Sequence, residues 1–168
     1  MLNDKAIHNL ILNNDLITSY IDLPTQLQPA GFDITLRTLE EFTSHGAVDF
    51  SNRTRKIATT EVMLPTDEGW YHLSPGGYKV TFNEIVKLPL NLATMTRTRS
   101  SVLRNGAAIE TGLGDPGYDG RYSSLFTVFN KYGIWLKQDA RIGQLIFLTT
   151  VEEASIGYNG IYKGENID

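Results

Sequence analysis

The segment from Ile85 to Ile109 concentrates positive charge in a chain that is acidic overall. It contains no acidic residue, although the whole protein has a formal net charge of −4. Arginine guanidinium groups beside serine hydroxyls suit a bound phosphate, because they supply charge-assisted hydrogen-bond donors. The segment therefore predicts an anion-binding site large enough for one triphosphate. Its basic residues are Lys87, Arg97, Arg99 and Arg104.

Within this segment, residues 98–106 read as a short helix. Ser100 suits the N-cap, and Gly106 suits the position after the C-cap, where a positive φ angle is usual. The free N–H groups of the first turn would then lie beside the hydroxyls of Ser100 and Ser101, which favours phosphate binding. An ordinary capped helix with solvated arginines explains the segment equally well.

Two turn signals follow at residues 115–120, Asp-Pro-Gly-Tyr-Asp-Gly. Pro116-Gly117 fits the centre of a type II turn, and Asp119-Gly120 predicts a two-residue hairpin. Asp115 could polarise a water molecule, and the ring of Tyr118 could pack on a sugar. Alternatively, Asp115 serves only to begin the turn, since aspartate is common at the first position of turns. A phosphate site followed by a positioned carboxylate suggests chemistry on a phosphate ester.

The elements that must position these residues are mostly short strands. Residues 3–13 predict a helix with Asn3 as its N-cap, and residues 31–36 alternate as a strand with Asp33 on one face. Residues 39–60 are polar and read as a solvated loop or hairpin. A short N-terminal helix, one short internal helix and many strands predict a mainly β, sandwich-like or barrel-like fold. Further strand signals lie at residues 78–86, 122–129 and 144–151.

Composition excludes several classes of site and partner. The 168 residues are expected to form one domain, 1–168, and the absence of cysteine excludes disulfides, thiolate nucleophiles and cysteine-bound metals. The three histidines lack metal-ligand spacing. A pI of about 5.4 argues against nucleic-acid binding, and no apolar run is long enough to cross a membrane. We therefore expect a cytoplasmic protein.

Five segments, taken in order, resemble motifs of the dUTPase and dCTP deaminase superfamily, and most closely its archaeal-type dUTPase-like branch. The similarity covers most of the chain from Gln28 onward. The order and spacing of the five segments make the resemblance specific. They are residues 28–34 (QPAGFDI), 99–104 (RSSVLR), 112–120 (GLGDPGYDG), 140–145 (ARIGQL) and 157–164 (GYNGIYKG).

The resemblance implies a distorted jelly roll that assembles as a homotrimer, with three active sites at subunit interfaces. It implies hydrolysis of dUTP to dUMP and pyrophosphate, with Mg²⁺ held mainly by the substrate triphosphate. Asp115 would activate the attacking water, and Tyr118 would pack under the deoxyribose and exclude a ribose 2′-hydroxyl. The tail, residues 156–168, would close over an active site from a neighbouring subunit.

The other substrate-binding residues implied by the resemblance divide by the part of the nucleotide that they would contact. Phosphate contacts would come from Arg99, Ser100, Ser101, Arg104 and Gln144, with Lys163 as a further candidate. Backbone groups of Thr111, Gly112, Leu113 and Gly114 would read the base. In the tail, Tyr158 and Tyr162 are candidates, and Tyr162 would stack on the base.

Two other functions stay open. Deaminases of the superfamily use a glutamate on the strand that follows the third motif, here residues 112–120, and this glutamate lies a few residues before an asparagine. Counting back from Asn130 puts Thr127 in the place of that glutamate. Threonine cannot shuttle a proton at neutral pH, which favours hydrolysis. Glu110 could approach the base from the other side, so a dCTP deaminase remains an alternative. A non-catalytic member that binds a nucleotide or another protein is the third possibility.

Overall fold

Strands dominate the computed structural model, which describes residues 1–167. The helices are α1 (Asp4–Asn14), α2 (Leu23–Gln26) and α3 (Ser100–Arg104). The first strands are β1 (Ile17–Thr18), β2 (Leu27–Gln28), β3 (Gly31–Phe42), β4 (Thr60–Val62), β5 (Trp70–Leu73), β6 (Gly76–Phe82) and β7 (Ile85–Lys87). The remaining strands are β8 (Leu92–Thr98), β9 (Ala107–Glu110), β10 (Asp119–Gly120), β11 (Ser123–Val128), β12 (Ile134–Lys137) and β13 (Arg141–Thr149).

A path of hydrogen-bonded strands in the order β8-β13-β3-β6-β11-β9 forms the main sheet, and every pair along it is antiparallel. Strands β2 and β4 pair with β3 beside this path. Two smaller sheets, β1-β7-β10 and β12-β5, complete the architecture. The predicted mainly β fold is confirmed.

The four central strands of the main sheet each contribute one almost completely buried phenylalanine to the core. These are Phe147 on β13, Phe32 on β3, Phe82 on β6 and Phe126 on β11. Burial of an aromatic ring contributes roughly 1.5–3 kcal/mol relative to exposure, so the strands are held firmly against one another. Strands β3 and β13 consequently form a rigid base for the polar residues that they carry.

The helix predictions are right for α1 and incomplete for the rest. The Asn3 side chain accepts a hydrogen bond from the first turn of α1 at 3.0 Å, and Ile7 and Ile11 pack into the core. The sequence predicted only one internal helix, α3, whereas α2 is a second one. The Asp22 side chain caps α2, and Pro24 lies in its first turn, where a missing N–H is tolerated.

The strand predicted at residues 31–36 is confirmed, whereas one turn prediction is wrong. All residues from Gly31 to Leu36, including Asp33, are buried, because β3 is a central strand. Asp119-Gly120 does not form a two-residue hairpin: it is strand β10, which pairs with β7. Here a long-range backbone pairing outweighs the local turn preference. The loop or hairpin predicted at 39–60 is a hairpin, since β3 continues to Phe42 and pairs antiparallel with β4.

Candidate functional site

The start of α3 exposes backbone donors and hydroxyls together. The sequence predicted Ser100 as the N-cap of α3, but the N-cap is Arg99. The backbone N–H of Arg99 still donates to the carbonyl of Ile142 on β13 at 3.1 Å, so the helix begins one residue later. Gly106 follows the C-cap with φ +75°, as predicted. The backbone N–H groups of Ser100 and Ser101 have no partner among residues 1–167. The side chains of Ser100, Ser101 and Arg104 are exposed.

Asp33 connects the second and fourth motifs. Its Oδ2 lies 3.0 Å from Nε of Arg99 and 3.2 Å from Nη1 of Arg141, and its Oδ1 lies 3.4 Å from Nε2 of Gln144. The Asp33 side chain is buried, whereas the side chains of Arg99 and Arg141 are about one-third exposed. Burial raises the pKa of Asp33 above its usual value, and the two arginines oppose that shift. Asp33 therefore fixes the direction of Arg99 while leaving part of its guanidinium open to an anion.

Strand register explains why Gln144 reaches this cluster. On β13 it lies opposite Asp33 of β3 on one side and Arg97 of β8 on the other. The Gln144 side chain donates to Asp33, and Arg99 also donates to the carbonyl of Arg141 at 3.0 Å. The predicted phosphate residues Arg99 and Gln144 thus share one anchor.

The predicted type II turn is confirmed. The N–H of Tyr118 donates to the carbonyl of Asp115 at 3.1 Å, and Gly117 has φ +82°, the conformation that this turn requires at its third position. The side chain of Asp115 is exposed. The turn therefore presents a carboxylate to solvent on a short, constrained loop.

Asp115 lies on the wall of a cavity of about 510 Å³. This volume is within the usual range for small-molecule sites. The cavity brings together residues of the third motif and of the tail. The sequence-predicted residues that line it are Thr111, Gly112, Leu113, Asp115, Tyr118, Tyr158 and Tyr162.

Backbone groups at the mouth of this cavity differ in their availability. Gly114 uses both of its groups in a bridge with Thr94, with N···O distances of 2.7 and 2.9 Å, and it does not line the cavity. The backbone groups of residues 111–113 make no hydrogen bond within residues 1–167. Thr111, Gly112 and Leu113 can therefore read the polar edge of a ligand, whereas Gly114 positions them.

Tyr118 is enclosed rather than open. Its ring stacks in parallel on Tyr122, with centroids 4.4 Å apart and planes 5° apart, and Tyr158 packs beside it. The Tyr118 hydroxyl donates to Oε1 of Glu165 at 3.0 Å. Burial, followed by the charge of Glu165, raises the pKa of Tyr118 well above its usual value. Tyr118 and Tyr122 together form a rigid aromatic wall for the cavity.

The tail lies on its own chain. Gly164 donates to the carbonyl of Asp119 at 2.7 Å, and the N–H of Arg121 donates to the carbonyl of Glu165 at 3.0 Å. Asn166 and Arg121 exchange two further hydrogen bonds. Within this chain the tail therefore packs against β10 and the residue that follows it. Lys163 is exposed and is not on the cavity wall.

The predicted phosphate residues do not meet the cavity within residues 1–167. They lie instead at the start of α3 and on β13. The cavity wall also includes residues that were not predicted from the sequence. One of them, Tyr122, could have been suggested by its short spacing from Tyr118. The predicted residues outside the cavity are Arg99, Ser100, Ser101, Arg104, Gly114, Gln144 and Lys163, and the added ones include Tyr122, Lys79 and Glu165.

In the described part of the chain, no three side chains of His, Cys, Asp or Glu are arranged to hold a metal ion. No helix within residues 1–167 is long and apolar enough to span a bilayer.

Comparison with known proteins gives consistent results. The family described as dCTP deaminase-like matches residues 1–150. A probable deoxyuridine 5′-triphosphate nucleotidohydrolase of Methanococcoides burtonii is 43% identical over 168 residues, which covers 99% of each chain. The deoxyuridine 5′-triphosphate nucleotidohydrolase of Methanocaldococcus jannaschii is 35% identical over 140 residues, covering 83% of this chain and 88% of its relative.

Among solved structures, 2′-deoxycytidine 5′-triphosphate deaminase from Agrobacterium tumefaciens is similar with a TM-score of 0.63 and 22% sequence identity. The match covers 87% of this chain and 46% of the deaminase. At this identity the likeness shows a shared fold and nothing about the reaction.

Proposed function

This chain belongs to the dCTP deaminase-like family, and we propose that it is a dUTP diphosphatase that hydrolyses dUTP to dUMP and pyrophosphate. The observation that carries the proposal is the cavity that joins the exposed Asp115 carboxylate to the unpaired backbone groups of residues 111–113. Its aromatic wall suits a sugar. The names of relatives that match over 99% of the chain support the same substrate.

In this proposal the Asp115 carboxylate accepts a proton from a water molecule. The water oxygen bonds to the α-phosphorus, the bond from that phosphorus to the bridging oxygen breaks, and pyrophosphate leaves. The triphosphate would carry Mg²⁺ on its own oxygens, which neutralises part of its charge. Fixed donors such as Arg99 and the N–H groups of Ser100 and Ser101 would hold the phosphates. Positioning and electrostatics then supply most of the rate.

The separation of the phosphate residues from the cavity supports a site shared between subunits. Arg99, Ser100 and Gln144 do not line the cavity of their own chain, although the reaction needs both groups at one nucleotide. In a cyclic homotrimer each interface repeats, so one subunit's phosphate residues would serve the cavity of the next. A trimer with three such interfaces satisfies this requirement.

Substitution of Asp115 by asparagine tests the reaction. The purified chain and Mg²⁺ are incubated separately with dUTP and dCTP, and products are resolved by chromatography. We expect dUMP from dUTP alone, and a loss of roughly 10²–10⁴-fold in kcat for D115N, because a general base is removed. The matched control is D139N, since Asp139 is an aspartate that uses one oxygen to accept a hydrogen bond from Asn83. Wild-type turnover by D115N would contradict the assignment.

Mixing two inactive variants tests the shared site. D115N and a chain with both S100A and R99A are unfolded together, refolded as a mixture and assayed for pyrophosphate release. If the two groups come from different subunits, about a quarter of the sites regain both intact halves, with activity to match. If both groups come from one subunit, no site regains activity.

One observation favours a second candidate, dCTP deamination. Glu110 lines the same cavity, since β9 pairs it with Leu125 of β11 at the cavity wall. Thr127, at the strand position that carries a glutamate in deaminases, does not line the cavity. Formation of dUTP or dUMP from dCTP, abolished by E110Q, would establish the deaminase instead.

A further inference from the structure

The hydroxyl of Tyr122 is an unsatisfied polar group at the wall of the cavity. Its oxygen is buried and has no hydrogen-bond partner among residues 1–167. The Tyr122 ring lines the cavity and is fixed by its parallel stack on Tyr118. The position of the hydroxyl is therefore set by ring packing rather than by a hydrogen bond.

This hydroxyl lies directly beside the turn that carries Asp115. A Cβ atom placed on Gly114 would lie 2.1 Å from the Tyr122 oxygen, so the oxygen packs against the Gly114 backbone. Consecutive Cα atoms are about 3.8 Å apart, and the Asp115 side chain is exposed. Rotation about its χ1 angle is expected to bring a carboxylate oxygen to the Tyr122 hydroxyl.

The electrostatic surroundings keep the proton on this hydroxyl. Two carboxylates face Tyr122, namely Asp115 from the turn and Glu165 from the tail, and Tyr118 packs on its ring. Burial and then these charges raise the pKa of Tyr122 well above its usual value. The group is consequently a donor at every pH at which the protein would work.

A buried hydroxyl without a partner destabilises the fold, which makes its presence informative. Phenylalanine would give the same ring stack without this cost, and such groups in native proteins call for an explanation in function. Catalytic hydrogen bonds are often unformed in a free enzyme and close only when substrate is bound. Both points agree with a donor that is held ready for Asp115.

We propose that, in the nucleotide-bound enzyme, the Tyr122 hydroxyl donates a hydrogen bond to the Asp115 carboxylate and orients it toward the attacking water. Tyr122 is thus a positioning residue, and this inference rests on the proposed function. In the free chain the hydroxyl lowers stability, whereas in the complex it aligns the base.

The experiment compares Y122F with the unsubstituted chain in stability and in turnover of dUTP. We expect Tm to rise by about 2–4 °C, because an unsatisfied hydroxyl is removed. We expect kcat to fall about tenfold, the usual scale for one hydrogen bond to a charged group, with KM unchanged. The acid limb of the kcat profile should move to higher pH, because a carboxylate that loses a donor has a higher pKa.

Y78F is the matched control, because the Tyr78 hydroxyl has a partner, the carbonyl of Ser74 at 2.9 Å, and lies away from the cavity. It should show the opposite pattern, a lower Tm with unchanged kcat. A Y122F chain with unchanged kcat and an unmoved acid limb overturns the inference, and so does a lowered Tm. If the unsubstituted chain and Y122F are equally active while D115N is inactive, only the inference fails. Absence of dUTP turnover by the unsubstituted chain overturns both proposals.

Discussion

Replacing Glu165 with alanine removes the carboxylate that accepts a hydrogen bond from the Tyr118 hydroxyl at 3.0 Å. The change leaves the other tail contacts in place, since Gly164 still donates to Asp119 and Asn166 still pairs with Arg121. We therefore expect the tail to open more often without detaching from a folded domain.

The expected increase in the open population of the tail follows from the strength of the hydrogen bond between Tyr118 and Glu165. A hydrogen bond to a charged group contributes about 1.5–3 kcal/mol, and because Glu165 is only partly buried we take the lower end. About 1.5 kcal/mol corresponds to roughly a tenfold increase in the population of the open tail. E165Q keeps an acceptor oxygen and loses the charge, so its increase should be about threefold.

Limited proteolysis with trypsin measures this population, because Lys163 lies in the tail. Cleavage that requires local opening tracks the open population when opening and closing are fast. The rate of cleavage after Lys163 is followed by mass spectrometry and divided by the rate after Arg53, an exposed residue of the 43–59 loop that serves as the reference. A non-hydrolysable dUTP analogue should slow cleavage after Lys163 if the tail closes over the nucleotide.

Equal normalised cleavage rates for E165A and the unsubstituted chain would refute this reasoning. That result would mean that the hydrogen bond between Tyr118 and Glu165 does not hold the tail. A rate increase after Arg53 as large as that after Lys163 would also refute it, because the change would then be global.

Two further predictions concern buried carboxylates. D33N should raise the KM for dUTP about fivefold, with kcat within about twofold, because a neutral amide holds Arg99 more weakly than a carboxylate does; an unchanged KM would contradict the anchoring role. Burial raises the pKa of Glu84, which accepts hydrogen bonds from Thr35 and Gln26. The contribution of Glu84 to stability should therefore be complete below about pH 4 and should decline as the pH rises through the folded-state pKa of Glu84. The Tm of the unsubstituted chain should fall accordingly over this range, and E84Q should lack this dependence of Tm on pH. Parallel Tm curves for the two chains between pH 4 and 8 would show that Glu84 is not the cause.

Local signals in the sequence predicted the parts of the fold that depend on neighbouring residues. The cap of α1 at Asn3, the positive φ angle of Gly106 and the turn from Asp115 to Tyr118 all depend on contacts a few residues apart. The wrong turn prediction has the opposite cause, a contact between residues far apart in the sequence. Asp119-Gly120 has the local signal of a hairpin, but its backbone pairs with β7, about thirty residues earlier in the chain.

The sequence predicted some residues that line the cavity but not how the cavity is assembled. Asp115 and Tyr118 line it, and their turn has a sequence signature. Tyr122 and Glu165 were not assigned, because their roles follow from packing: Glu165 meets Tyr118 across 47 positions of sequence. The division between the cavity and the Arg99 cluster likewise follows from sheet topology, which no single segment of the sequence encodes.

The place of β13 in the sheet has a consequence for synthesis on the ribosome. This strand fits between β3 and β8, and its Gln144 meets a partner, Asp33, that is 111 positions earlier in the chain. A nascent chain that includes β8 but not yet β13 has two open strand edges, and such edges promote pairing with other chains. That interval of translation is where chaperone binding or aggregation is expected, and the contact between Gln144 and Asp33 forms only after it has passed.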